Sequence, residues 1–62
     1  MKINADKIEK LRLEKLMTIR EISVKAGISE ATYHNLRKNS CCMNKTLKNI
    51  AIALECDPKD LV

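Results

Sequence analysis

The chain contains a single glycine, Gly27, and its position constrains the fold more than any other feature. It interrupts "TIREISVKAGISEATYHNL" between two short segments whose apolar residues recur at helical spacing. Upstream, "TIRE" places Thr18 as N-cap and Glu21 three residues on, the reciprocal pattern of a capping box. That predicts a short helix over Ile19 to Ala26, ended by Gly27, because the residue after a helix often takes a left-handed backbone that glycine adopts without strain. Downstream, Ile28 precedes Ser29, a second N-cap residue. A further helix is expected from Glu30 to about Lys38, with Ile28, Tyr33 and Leu36 on one buried seam.

The rest of the chain also reads as helical. Asn4 can cap a first helix with Ile8 and Leu11 on its inner face and Leu16 and Met17 closing it. "NSCCMN" carries turn-forming residues. "KTLKNIAIALE" follows, with Leu47, Ile50, Ala51 and Leu54 as an i, i+3, i+4, i+7 stripe. "DPKDLV" opens a fifth short element, with Asp57 at its N-cap and Pro58 at its first position. No strand-length alternation, repeat, low-complexity segment or linker interrupts the series. The expectation is one all-α domain over residues 1–62.

Sixty-two residues bury only about 60% of the surface that the unfolded chain exposes. With no Trp or Phe and one Tyr, the core must be aliphatic and leaves little room for an enclosed catalytic cleft. No nucleophile has a base and an orienting group in view: one histidine is present, and Ser29 is committed to a cap. No enzyme, catalytic residue or cofactor is expected. The three cysteines, Cys41, Cys42 and Cys56, show no CxxC spacing, so neither a disulfide framework nor a metal site is expected. Cys42 and Cys56 read instead as small buried apolar residues. No apolar run reaches the ~20 residues of a membrane span, and the charged N-terminus lacks a leader's apolar stretch. A cytoplasmic protein is expected.

The net charge of +4 is modest, but its placement is informative. From Ala31 through Leu54 there is no acidic residue, while Arg37, Lys38, Lys45 and Lys48 all lie there; elsewhere acids and bases balance. Such confinement suggests an electrostatic footprint for a polyanion. Two short helices joined by a three-residue turn containing glycine are the signature of a helix-turn-helix. Ile22, Ala26, Ile28, Tyr33 and Leu36 supply its buried positions, and Ser23 is small where the helices approach.

"MTIREISVKAGISEATYHNLRKN" and "TLKNIAIALECDPKDLV" together resemble the lambda-repressor-like (XRE-type) helix-turn-helix family, especially its small bacterial and mobile-element regulators. The resemblance covers nearly the whole chain. It implies a compact five-helix bundle, with helices two and three forming the helix-turn-helix and helix three in the major groove of double-stranded DNA. The implied function is a sequence-specific transcriptional regulator, repressor-like. It also suggests a weak homodimer assembling on a pseudo-palindromic operator. Its contact is expected near the end of helix four and the final turn, where little chain is left to cover Leu61 and Val62, with a place in the core as the alternative for Leu61.

With Ile28, Tyr33 and Leu36 inward, helical geometry turns Glu30, Ala31, His34, Asn35 and Lys38 outward. Asn35 suits adenine, Glu30 the cytosine amino group and Ala31 a thymine methyl. Ser29 and Thr32 have hydroxyls for base or phosphate, and His34 lies on the DNA side. Phosphate contacts are expected from Arg37, Lys38, Asn39 and Lys45, and from backbone amides at Ile19 helped by Thr18. Two departures from the family pattern stand out. Many members begin the second helix with Gln, which contacts phosphate; here the residue is Ile19. Many also have an acid at the position of Arg37, paired with an arginine matching Arg12. That pair cannot form, so Arg12 is expected to find Glu21, Glu14 or solvent, with Arg37 released toward DNA or water. The competing class is a protein-interaction module, antitoxin-like or antirepressor-like, using the face of helices four and five.

Overall fold

The computed structural model describes residues 1–62 as four α-helices and a closing 3-10 turn. α1 spans Ala5–Glu14, α2 Ile19–Ala26, α3 Glu30–Asn39 and α4 Asn44–Leu54, followed by the turn Pro58–Leu61. The five-helix expectation therefore fails at its last member. "PKDL" is four residues long and closes on an Asp60 N to Asp57 O bond of 2.9 Å, and the Asp57 side chain makes no cap. So short a segment forms i→i+3 bonds but no α-helical ladder.

The caps explain the other boundaries. Asn4 accepts from the Lys7 amide at 3.1 Å and starts α1. Thr18 and Glu21 form the capping box, at 3.0 and 3.1 Å. Gly27 takes φ 70° after α2, and the amide of Ile28 returns to the Ser23 carbonyl at 3.0 Å. Ser29 starts α3. α3 runs one residue beyond its expected end, to Asn39, and stops where Ser40 turns left-handed.

α4 packs mainly against α2, and the final turn packs on α4. Between them lies an aliphatic core around Ile8, Ile22, Ile50, Leu54 and Leu61, with Tyr33 wholly buried beside it. One expectation about burial is corrected. Leu16 does not close α1: it takes φ 55° after the helix ends and is 88% exposed, so the chain turns there and Met17 enters the core instead. Of the two places open to Leu61, the fold takes the core, where it is fully buried. Cys42 and Cys56 are half-buried against the core. One further feature has no sequence signature of its own. Residues 1–3 run extended beside the α3–α4 loop, with Ile3 N to Ser40 O at 2.9 Å and Cys42 N to Met1 O at 3.0 Å.

Candidate nucleic-acid interface

α3 is anchored through two buried residues and exposed along most of the rest. Tyr33 and Leu36 are buried, and Ile28 just before the helix is half-buried. Glu30, Ala31, Thr32, His34, Asn35, Lys38 and Asn39 all face solvent. The exposed face has two flanks. On one, His34, Arg37 and Lys38 meet Asp6 and Glu9 of α1 around a recess of ≈ 290 Å³. On the other, Thr32, Asn35 and Asn39 meet Cys41, Cys42 and Thr46 around a smaller cleft of ≈ 150 Å³. The crest between them is free of any other element.

Within that face the hydroxyls are partly committed. The Ser29 hydroxyl accepts from the Thr32 amide at 3.0 Å and donates to Thr32 Oγ1 at 2.9 Å. Thr32 Oγ1 keeps its own proton to donate outward, which Ser29 has already used. Thr18 Oγ1 likewise accepts from the Glu21 amide, and it lies beside the Glu21 carboxylate. These caps leave both helices with N-termini facing solvent beside exposed residues.

Glu9 decides how α3 is held. Its Oε1 accepts from the Tyr33 hydroxyl at 2.7 Å and from Arg12 Nε at 2.9 Å, and its Oε2 accepts from Arg12 Nη2 at 2.9 Å. Arg12 also donates from Nη1 to the Met17 carbonyl at 2.6 Å, closing the turn after α1. Arg37 Nε approaches Glu9 Oε1 at 3.5 Å, and its guanidinium sits 5.9 Å from the Tyr33 ring centroid. The Arg12 hydrogen bonds hold the Glu9 carboxyl at about 2, against desolvation that pushes the other way. The same contact raises Arg12, while burial and the Glu9 bond push the Tyr33 phenol well above its ordinary value. Arg12 therefore finds Glu9, not Glu21, Glu14 or solvent. Arg37 is not released: one turn beyond Tyr33 on α3, it is drawn to the same carboxylate, with its side chain 33% exposed. Lys38, Lys45 and Lys48 remain exposed and outside any ion pair.

Sequence reasoning missed the start of α4. Met43 stands at its N-cap and supplies no side-chain bond, so the first amides of the helix lack a cap. Thr46 lines the adjoining cleft while only 8% exposed. Asn44 is a residue type suited to an N-cap, yet it stands one residue inside α4, so no residue type announced the uncapped start beside Lys45.

This arrangement, two capped short helices around a left-handed glycine and a solvent-facing second helix, agrees with the comparison to known families. Residues 7–62 match the family described as Cro/C1-type HTH DNA-binding domain. The chain belongs to that family. It is a DNA-binding helix-turn-helix domain of the kind used in transcription regulation. No curated protein matches it. No helix is long and apolar enough to cross a membrane.

Proposed function

We propose that this Cro/C1-type domain is a sequence-specific regulator of transcription that docks α3 in the major groove of duplex DNA and represses by occupying its site. The observation that carries the reading is the crest of α3. Asn35, Ala31, Glu30 and His34 project from a helix whose opposite side is fixed by Tyr33 and Leu36. An amide at Asn35 offers the donor–acceptor pair that adenine presents in reverse, Ala31 fits a thymine methyl, and Glu30 accepts from a cytosine amino group. Thr32 contributes its free proton, while Ser29 serves mainly as the cap. Lys38, Asn39 and Lys45 contact phosphates on either side, as does the α2 N-terminus through the Ile19 amide beside Thr18. The uncapped start of α4, with Thr46 beside it, supplies a further phosphate contact through its amides. Arg37 contributes less than its charge suggests, because Glu9 holds it.

A single module offers only about 600–1,000 Å² to DNA, so two copies on a pseudo-palindrome, about one helical turn apart, give the specific complex. Selection of bound sites from a random duplex library tests this reading directly. A symmetric consensus with two half-sites is the expected product. Asn35→Ala should then cost roughly 1–3 kcal/mol on that consensus and little on random DNA. Enrichment of no duplex at all would reject the DNA-reading role and favour the protein-interaction module.

A further inference from the structure

The loop between α3 and α4 carries two adjacent thiols in different surroundings. Cys41 is exposed, whereas Cys42 is half-buried against the core, as is Cys56. Burial pushes the Cys42 and Cys56 thiols up, away from the thiolate form that reacts. Backbone bonds fix where Cys41 stands. Its amide donates to the Leu36 carbonyl at 3.3 Å, the Ser40 carbonyl before it accepts from Ile3 at 2.9 Å, and the Cys42 amide donates to Met1 at 3.0 Å. The exposed thiol is therefore tied to the end of α3, not carried on a free loop.

Cys41 lines the cleft of ≈ 150 Å³ that Thr32 and Asn35 border from α3 and Cys42 and Thr46 from the other side. Thr46 is only 8% exposed, and its hydroxyl takes part in no hydrogen bond within the chain. A polar side chain that is almost wholly buried thus borders the cleft without a partner. The first amides of α4 next to it lack a cap. No carboxylate lines the cleft. Unpartnered donors without a competing acid suit an anionic oxygen, a carboxylate as much as a phosphate. The neighbouring thiol decides which small molecule can bring one: a thiol that carries its own carboxylates and can be joined to Cys41.

We propose that Cys41 is a site of reversible modification by a small carboxylate-bearing thiol of the glutathione type, whose adduct fills the α3–α4 cleft and competes there with the DNA backbone. The Cys41 thiolate attacks one sulfur of the small molecule's disulfide. A bond forms between Cys41 Sγ and that sulfur, the original S–S bond breaks, and the other half leaves as a thiolate that takes up the proton lost by Cys41. The disulfide is the oxidant, and excess thiol reverses the exchange. At ≈ 150 Å³ the cleft holds part of a tripeptide and not all of it, against about 300–1,000 Å³ for sites that enclose a ligand. One carboxylate reaches Thr46 and the α4 amides, and the remainder lies across the flank of α3. Net negative charge then faces phosphate on the side of α3 that has no acid of its own. The effect on DNA rests on the α3 docking proposed above; the site of reaction does not.

Incubating the reduced full chain with glutathione disulfide, followed by peptide mapping in a mass spectrometer, locates the adduct. Cys41 should be modified about tenfold or more faster than Cys42 or Cys56. NMR of the isotopically labelled adduct should show shifted amides at Thr32, Asn35 and Thr46. On the duplex that the reduced chain selects, the adduct should bind about tenfold or more weakly, with recovery in dithiothreitol. A sulfonatoethyl group placed on Cys41 by a methanethiosulfonate should reproduce the loss. An aminoethyl group of nearly the same size should cost less than about threefold. Cys41→Ser should bind DNA as the reduced parent does and ignore glutathione disulfide. Preferential reaction at Cys42 or Cys56 would overturn the proposal. So would an adduct that leaves the cleft amides or the DNA affinity unchanged, or anionic and cationic adducts of equal effect. If the reduced chain binds no duplex, the DNA reading fails, and labelling and amide shifts still decide whether Cys41 is the site and the cleft its seat.

Discussion

Replacing Glu9 by Gln changes one charge and almost no volume, yet it strikes the contact that joins α1 to α3. The carboxylate accepts two bonds from Arg12 and one from Tyr33, with Arg37 close by. The amide of Gln keeps one acceptor oxygen but turns an NH₂ group toward donors. At least one Arg12 bond is lost, and Arg12, 9% exposed, keeps the Met17 carbonyl and at most one bond to the new amide oxygen. A hydrogen bond to a charged group contributes about 1.5–3 kcal/mol, and removing one member of a buried ion pair costs about 3–5 kcal/mol. Because the Glu9 side chain is itself 20% exposed, the lower end applies, about 2–3 kcal/mol. A domain of this length has roughly 3–9 kcal/mol in all, so the melting temperature should fall by about 10–20 °C.

Thermal and urea unfolding followed by circular dichroism measure the loss, with Glu14→Gln as an exposed control expected within about 0.5 kcal/mol of wild type. The pH dependence supplies a second, independent reading. Glu9 sits at about 2 in the fold against 4.5 ordinarily, so its folded value is depressed. Its contribution is thus fully present above pH 4.5 and is lost as pH falls toward 2. The stability gap between wild type and Glu9→Gln should therefore be constant near neutrality and close across that window. A gap under about 1 kcal/mol at pH 7, or one that widens in acid, would refute the role assigned to Glu9.

Ser23 is buried with its hydroxyl unpaired, so Ser23→Ala should raise stability by about 1 kcal/mol in the same unfolding assay; a loss would mean the hydroxyl is satisfied. Leu16→Gly and Gly27→Ala should shift stability in opposite directions by about 0.5–1 kcal/mol, up and down respectively, because both positions are left-handed and no atom crowds a Cβ at Gly27. On DNA, Lys38→Ala should reduce the slope of log K against log salt by about one, read by titration across salt concentrations. Arg37→Ala should leave that slope nearly unchanged and lower the melting temperature instead.

Most of the fold was legible because its helices announce their ends. Asn4, Thr18, Gly27 and Ser29 each do in three dimensions what their types predict, and the capping box pins α2 to the residue. The misreadings fall where no local chemistry marks the boundary. α4 begins after Met43, which has no capping oxygen, and so starts one residue earlier than its apolar stripe suggested. Leu16 and Glu55 take left-handed conformations that sequence normally assigns to glycine, so nothing in their types warned of the turns. The closing segment has a helix's opening residues, Asp57 and Pro58, without the length to propagate one. The docking of residues 1–3 depends on backbone bonds to a loop nearly forty residues away, which no local pattern encodes.

The α1–α3 contact shows why the site was harder to read than the fold. The resemblance drew attention to an arginine on α1 deprived of its usual acid on α3. Glu9 lies three residues before Arg12, one turn away on the same face, and so can reach the same place from α1. Once it does, Tyr33 and Arg37 find it from α3, and the acid has in effect moved across the helix pair while the linkage between helices is kept. The exchange has a consequence for DNA. Arg37 lies within the stretch of chain that lacks acids, and linear bookkeeping counts it toward the positive footprint. In three dimensions Glu9 stands beside it, so the recess by α1 presents Asp6 and Glu9 next to His34 and Lys38. The opposite flank, toward Lys45 and the start of α4, has no acid at all. The field around α3 is therefore lopsided. On the α4 side no acid opposes the pull on a phosphate backbone, whereas on the α1 side Asp6 and Glu9 offset Arg37 and Lys38 and weaken it. With α3 docked as proposed, an asymmetry of that kind would orient the domain on the duplex before any base is read.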